Sequence, residues 1–510
     1  MYVVLCMLLF IGVFVLYHVV AKCLGYAGFQ LGNSFNPDTL EHDEITTLLT
    51  KLSHPEFEGV CYGFSLNWAL AVAESKEDIF YRQLHLLRSH KSDLPVVLER
   101  IKQKKHEFHY ISEEELLITT LPEICEKICI AQDPIAYKNK YGKLVWQSDI
   151  NSILRRIKQE GSGVRQVFYK THTFGSRQEA REYFTLLAKS KLTENVAVII
   201  STSDHAMGFK RAGRLWRFIN INDLYRQDIN KPYFEFDAQG LVNELYRVSA
   251  SGPLIRRLTV NTDFIALKIP PGLISRLENK FPVFPVYQRT PYIEKISFFA
   301  MAALQGDIPT VKKCLKAKWS VFSNNYMNDN SPVLMAIYSG RREVVKAMLT
   351  PIAQHINKQR KKDLATLLHI ACRYGGWGIV EDLLHITGIN INPLDIKGKT
   401  PLMYACKSTM ITDERKLFRL LLNNGASLTI EDKNGFTALD HAIKNDHELA
   451  IEMISNRMQF DEDAQQTVTK KQRAVVQSRL NFFKKAPAGG LSDVYPTQFG
   501  NNQVCILPNG

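Results

Sequence analysis

At 510 residues the chain is long enough for two or three folded domains, and its 45% hydrophobic and 23% charged content excludes a wholly disordered or fibrous protein. The net charge of +13 favours acidic surfaces, but no zinc-knuckle, helix-turn-helix or RNP-like pattern singles out nucleic acid, and no nucleic-acid partner is expected. The nine cysteines are irregularly spaced and include no CxxC, which argues against a disulfide framework and a zinc site; neither a cofactor nor a metal is expected.

In chain order, residues 2–20 ("YVVLCMLLFIGVFVLYHVV") carry no charge and are followed by Lys22. As a helix this run would be about 28 Å long, close to one hydrocarbon thickness. No basic residue precedes it and no clear A-x-A cleavage site follows, so residues 1–22 read as a membrane anchor before a signal peptide. The first cations come after the run, so the large C-terminal part is expected on the cytosolic side, in keeping with reduced cysteines.

Residues 30–270 mix helices and strands. "DTLEHDEITTLLTKL" has helical periodicity, with Asp38 as the expected N-cap. "DIFYRQLHLLRSH", "LPVVLERIKQKK" and "PEICEKICIA" read as further helices, and Cys125 and Cys129 share a face best explained by core packing. "NVAVIIST", "HAMGFKRAG" and "RLWRFININD" read as strands, the last two joined by an Ala-Gly turn. Helices first and an antiparallel sheet later imply an α+β domain. Residues 271–295 are proline-rich and are expected to cross between domains.

From residue 296 to 457 the chain repeats. "SFFAMA", "SPVLMA", "TLLHIA", "TPLMYA" and "TALDHA" place Ala302, Ala336, Ala371, Ala405 and Ala442 at spacings of 34, 35, 34 and 37. This pattern resembles the ankyrin repeat, which implies about five units in an all-α solenoid with a protein-binding concave face. Gly425 stands where a second helix must stop in left-handed geometry, and "KSTMITDE" inserts a few residues in the fourth unit. Residues 458–510 read as a basic helix ("TKKQRAVVQSRLNFFKK") and a flexible tail; contact with an anionic membrane is weighed there against a solvated capping helix, which is preferred.

The chemistry turns on "GVCYGFSLNWALAVAES". Cys61 precedes a helical pattern, flanked by Gly59 and Gly63, and a helix N-terminus favours a thiolate. A buried cysteine before a core helix is the competing reading. The best-placed imidazole is His205, opening a strand. Asn220, Asn222 and Asp223 close the neighbouring strand, so Asn220 or Asp223 can hydrogen-bond its second nitrogen. His54 reads as a surface-loop residue, His106 and His109 as an incomplete metal pair, and His172 as a reserve general base.

"GVCYGFSLNW" with "DHAMGF" and "WRFININD" resembles papain-like cysteine proteases, most of all the YopT/AvrPphB-type bacterial effector peptidases. That resemblance implies a papain-like fold over about residues 50–230, with Cys61 as nucleophile, His205 as general base and then acid, and a third residue orienting the imidazole. The sequence departs from the family at that third site, reading "FIN" where Phe-Asp-Pro is usual, so Asn220 and Asp223 both stand as candidates. The joint architecture resembles ankyrin-bearing effectors of the Legionella type. It implies a bacterial protein delivered into a host cell, acting as a thiol hydrolase on a host protein held by the repeats. The alternative is a non-catalytic ankyrin adaptor carrying a vestigial protease-like domain.

Overall fold

The computed structural model describes residues 39–459 apart from 138–139, 141–144, 148, 203–204, 250–257, 281–296, 323–329 and 409–412. The apolar run at 2–20, Asp38 and the basic helix at 469–485 therefore lie outside the described residues. Among the described residues no helix is long and apolar enough to cross a membrane.

The first part opens with helices α1 (His42–Lys51), α2 (Cys61–Ala73), α3 (Glu77–Ser89), α4 (Leu94–His106), α5 (Glu113–Ile118), α6 (Leu121–Gln132) and α7 (Ile150–Ile157). There follow β1 (Arg165–Phe174), α8 (Arg177–Lys189), β2 (Ala197–Ser201), β3 (Ala206–Ala212), β4 (Leu215–Ile219), β5 (Phe234–Phe236), α9 (Ala238–Ser249), β6 (Leu258–Ala266) and α10 (Leu273–Lys280). The strands form one six-stranded antiparallel sheet in the order β1-β6-β2-β3-β4-β5. Gly213, at φ +56°, lets the chain turn tightly from β3 into β4.

Side chains that alternate along a strand face opposite sides of the sheet. Ala197, Ile199, Ala206 and Ile219 join a core with α2, α4, α6 and α7, whereas Val198, Ile200, Met207, Phe209 and Phe218 join a second core with α8 and α9. The central strands are thus buried on both faces, which explains their continuous apolar runs. Helix α2 is also apolar nearly all round, because it is packed against the sheet and α6 at once. Gly63 lies so close to α6 that an added Cβ would overlap the Ile128 carbonyl, and Gly208 on β3 lies flat against the Trp68 ring.

Two expectations shift. Helix α1 begins at His42, with the Glu41 N–H held by Glu44 Oε2 at 2.8 Å, four residues past the anticipated cap. The first half of the proline-rich stretch forms α10, and its Leu273 and Leu277 are buried in the α8/α9 core, so it packs with the sheet domain.

The C-terminal part is a row of short antiparallel helices: α11 (Phe298–Gln305), α12 (Ile308–Lys316), α13 (Pro332–Tyr338), α14 (Arg342–Ala347), α15 (Leu349–Ala353), α16 (Leu367–Ile370), α17 (Trp377–Leu384), α18 (Pro401–Ala405), α19 (Glu414–Asn423), α20 (Ala438–Lys444) and α21 (Glu448–Met458). Helix α16 runs on into a π-helical turn at Ala371–Gly375. Ala302, Ala336, Ala371, Ala405 and Ala442 are all buried in one continuous core, where a small side chain lets successive helices approach closely. Gly425 takes φ +84° just after α19.

The two parts meet directly. Helix α11 packs on β1 and β6, and Lys170 Nζ lies 3.3 Å from the Asp307 carboxylate with both groups buried. Gln166 and Gln305, one from each side, donate to Asp263 Oδ1 at 2.7 and 2.6 Å. The Tyr169 hydroxyl donates to the Gly306 carbonyl at 3.1 Å. Buried polar groups hydrogen-bonded from both sides fix the register of such an interface.

Candidate active site

Cys61 is the first residue of α2, and among the described cysteines it alone is half-buried while the other five are buried. Burial pushes the thiols of Cys125, Cys129 and Cys314 up to about 12 and that of Cys372 higher still, so these cysteines act as packing residues. The first turn of α2 is braced from two sides. His42 Nε2 accepts the Val60 N–H at 3.1 Å, and Gln132 Oε1 accepts the Gly63 N–H at 3.0 Å. Both brackets satisfy donors that a helix N-terminus leaves without intrahelical acceptors. Neither residue carries a local sequence signal, since they lie 18 and 69 positions from their partners.

Helix α2 runs along β3. Ser65 Oγ donates to the Ala206 carbonyl at 3.2 Å, and one turn further on Trp68 covers Gly208. Cys61 begins α2 and His205 immediately precedes β3, so both stand at the N-terminal ends of these two packed elements.

His205 immediately precedes β3, and its Nε2 lies 2.7 Å from Asn220 Oδ1. Asn220 follows the last residue of β4 and caps a 3-10 turn (Ile221–Asp223), its Oδ1 also accepting the Asn222 N–H at 3.2 Å. Asn220 Nδ2 donates to Asp223 Oδ2 at 2.7 Å. That bond determines which way the amide points: the nitrogen faces the carboxylate, so the oxygen faces the imidazole. An acceptor at Nε2 requires Nε2–H on a neutral His205, which leaves Nδ1 as the basic nitrogen. Asp223 is in turn held by Arg247 at 2.6 Å and Arg226 at 3.3 Å. The hydrogen bonds that Arg247 donates to Glu244, and then to Asp223, hold its guanidinium more firmly protonated. The two candidates for third residue are therefore arranged in series, with Asn220 touching the ring and Asp223 orienting Asn220.

The other histidines singled out in the sequence have different surroundings. His172 is sealed in the α8/α9 core, stacked on Phe174, and burial with Lys170 nearby depresses it to about 3, so it is not available as a base. His54 Nδ1 lies 3.0 Å from the Tyr137 hydroxyl. His106 ends α4, and His109 Nδ1 lies 3.4 Å from Glu107 in an exposed pair. Among the described residues no group of three or more His, Cys, Asp or Glu side chains is arranged to hold a metal ion.

Beyond the sheet domain the relationships are explicit. Residues 299–395 and 368–465 match the family model described as ankyrin repeats. The C-terminal part consists of ankyrin repeats. The chain is 29% identical over 180 residues to a protein named as an ankyrin repeat protein, YahD, of Escherichia coli (strain K12), a match covering 28% of this chain and 87% of the relative. It is 38% identical over 77 residues to ankyrin repeat protein L86, so named provisionally, of Acanthamoeba polyphaga mimivirus, covering 15% of this chain and 13% of that one. It is also 31% identical over 116 residues, 22% of the chain, to a Plasmodium falciparum (isolate 3D7) protein provisionally named an E3 ubiquitin-protein ligase, of which it spans 1%. YahD apart, the chain spans only 13% and 1% of these relatives' own lengths. Ankyrin repeats present a surface for binding other proteins.

Proposed function

We propose that the sheet domain is a papain-like thiol hydrolase acting on a protein bound by the ankyrin repeats. The observation that carries this reading is the 2.7 Å contact from His205 Nε2 to an Asn220 amide whose orientation is set by Asp223, on a hairpin packed against the Cys61 helix. An imidazole held with Nε2 protonated presents Nδ1 to the thiol. Transfer of the Cys61 proton to Nδ1 gives a thiolate–imidazolium pair, which the N-terminal end of α2 favours through its partial positive charge.

The thiolate then attacks a substrate carbonyl. As the C–N bond breaks, His205 returns the proton to the leaving amine, and water, deprotonated by the same imidazole, releases the acyl group and restores the thiol. Peptide cleavage, isopeptide cleavage and side-chain deamidation share this course. On the architectural resemblance, the substrate is a host-cell protein, the protein is a secreted bacterial effector, and residues 2–20 hold it at a membrane with its domains facing the cytosol.

The test is the rate of Cys61 alkylation by iodoacetamide across the acid-to-alkaline range, resolved by peptide mass spectrometry, in the full chain and in His205→Ala. A thiol reactive well below its ordinary titration, and dependent on His205, supports the hydrolase. A rate rising only with ordinary thiol ionisation, identical in both proteins, overturns it and leaves an ankyrin adaptor.

A further inference from the structure

The repeats stack their turns in a row. The Ile396 N–H donates to the Asp363 carbonyl at 2.7 Å, and the Lys433 N–H to the Lys397 carbonyl at 2.9 Å, so the turns near 363, 396 and 433 stand side by side. Their tips expose apolar side chains: Leu364, Ile396 and Phe436 are 39%, 44% and 38% accessible. Beside them four cations converge from three successive repeats. Lys407, after α18, is faced by Lys399, Arg373 and Lys444. Burial first and then these neighbours push its ammonium down to about 8, and the adjoining Ser408 hydroxyl donates to the Arg373 carbonyl at 2.8 Å, tying this repeat to the one before it.

Three of the nearby carboxylates are committed elsewhere. Asp395 accepts the Lys397 and Lys399 N–H groups and the Tyr404 hydroxyl, and Asp432 accepts the Asn434 and Phe436 N–H groups and His441 Nε2. Asp440 caps α20 through Thr437. Among the described residues none of the four cations has an ion-pair partner; Arg373 and Lys444 lie instead over the rings of Tyr374 and Phe436, at 5.2 and 5.4 Å. Unpaired like charges held together destabilise a fold unless an anion joins them.

We propose that Arg373, Lys399, Lys407 and Lys444, with the apolar tips Ile396 and Phe436, form the docking surface for an acidic protein segment in which Asp and Glu alternate with apolar residues. The positive cluster complements the carboxylates, and the exposed tips take the apolar side chains, which a nucleic-acid backbone or a lipid headgroup does not offer. The inference rests on the repeats as the protein-binding part of the molecule and is independent of turnover at Cys61, whose alkylation reports separately on the hydrolase.

The experiment measures fluorescence polarisation of a labelled peptide of alternating Glu or Asp with Leu and Phe, titrated with the full chain. Saturable binding is expected, weakened about tenfold or more in Arg373→Gln/Lys407→Gln/Lys444→Gln and weakened by added salt. The variant Lys312→Gln/Lys313→Gln/Lys316→Gln removes the same charge from α12 and should bind like the wild type, with circular dichroism showing both variants folded. Equal loss in both variants, equal binding of the Gln/Asn version of the peptide, or tighter binding of single-stranded DNA or phosphatidylserine vesicles through the same three residues overturns the proposal.

Discussion

Asp263 offers a measurable link between the sheet and the repeats. It is fully buried on β6, and Gln166 from β1 and Gln305 from α11 both donate to its Oδ1. Burial pushes its carboxyl from 3.8 up to about 7, against the pull of Gln166, Arg341 and Gln305. The sign follows from proton linkage. A carboxyl raised on folding keeps its proton in the native state while the unfolded chain releases it. Its contribution is therefore whole below the unfolded value and is lost as pH rises through the window from 3.8 to about 7. At about 1.4 kcal/mol for each tenfold change in proton affinity, the loss is about 4 kcal/mol across that window. Asp263→Asn keeps an oxygen acceptor for both glutamines but cannot titrate. Urea unfolding of the full chain, followed by circular dichroism at several pH values, should show the wild type losing about 4 kcal/mol relative to the variant from acid to neutral pH, with no further divergence above. Stability curves that run parallel for the two proteins would refute the argument.

Three further outcomes follow from the same geometry. Gly63→Ala drives a methyl into the Ile128 carbonyl and to 2.9 Å from the Gln132 backbone nitrogen; separating α2 from α6 should cost about 1–3 kcal/mol, read as a lower melting temperature. Asp307→Ala strips the buried Lys170 of its carboxylate and α12 of the cap at Thr310, so a loss of about 3–5 kcal/mol is expected in chemical denaturation, with Asp307→Asn milder. Asp223→Asn removes the charge that orients the Asn220 amide; Cys61 alkylation near neutral pH should slow about tenfold while the melting temperature stays close to wild type. An unchanged alkylation rate there would mean that Asp223 serves only Arg247 and Arg226.

Legibility in the sequence tracked how local each interaction is. The repeats could be read because the same buried alanine and helix pair return five times, so that periodicity alone reports a stacked core. His205 and Asn220 are 15 residues apart on one hairpin, and strand pairing brings them together by a short-range rule. The choice between Asn220 and Asp223 could not be made from sequence, because both lie within hydrogen-bonding distance of one another and their order of contact depends on a single amide orientation. His172 illustrates the opposite failure: its neighbours in sequence give no sign that Tyr183, from the following helix, closes over it.

Composition and periodicity by themselves determined that an α+β region precedes a helical repeat array, and that one cysteine begins a helix while others fall on buried faces. Those properties follow from side-chain periods of two and about 3.6, which the chain carries locally. Only the tertiary structure decided that His42 and Gln132 brace the first turn of α2, that Asp263 and Lys170 are sealed between sheet and repeats, and that four cations from three successive repeats are neighbours. The physical reason is common to all three. Each depends on the desolvation and mutual distance of groups far apart in the chain, and neither quantity exists until the chain has packed.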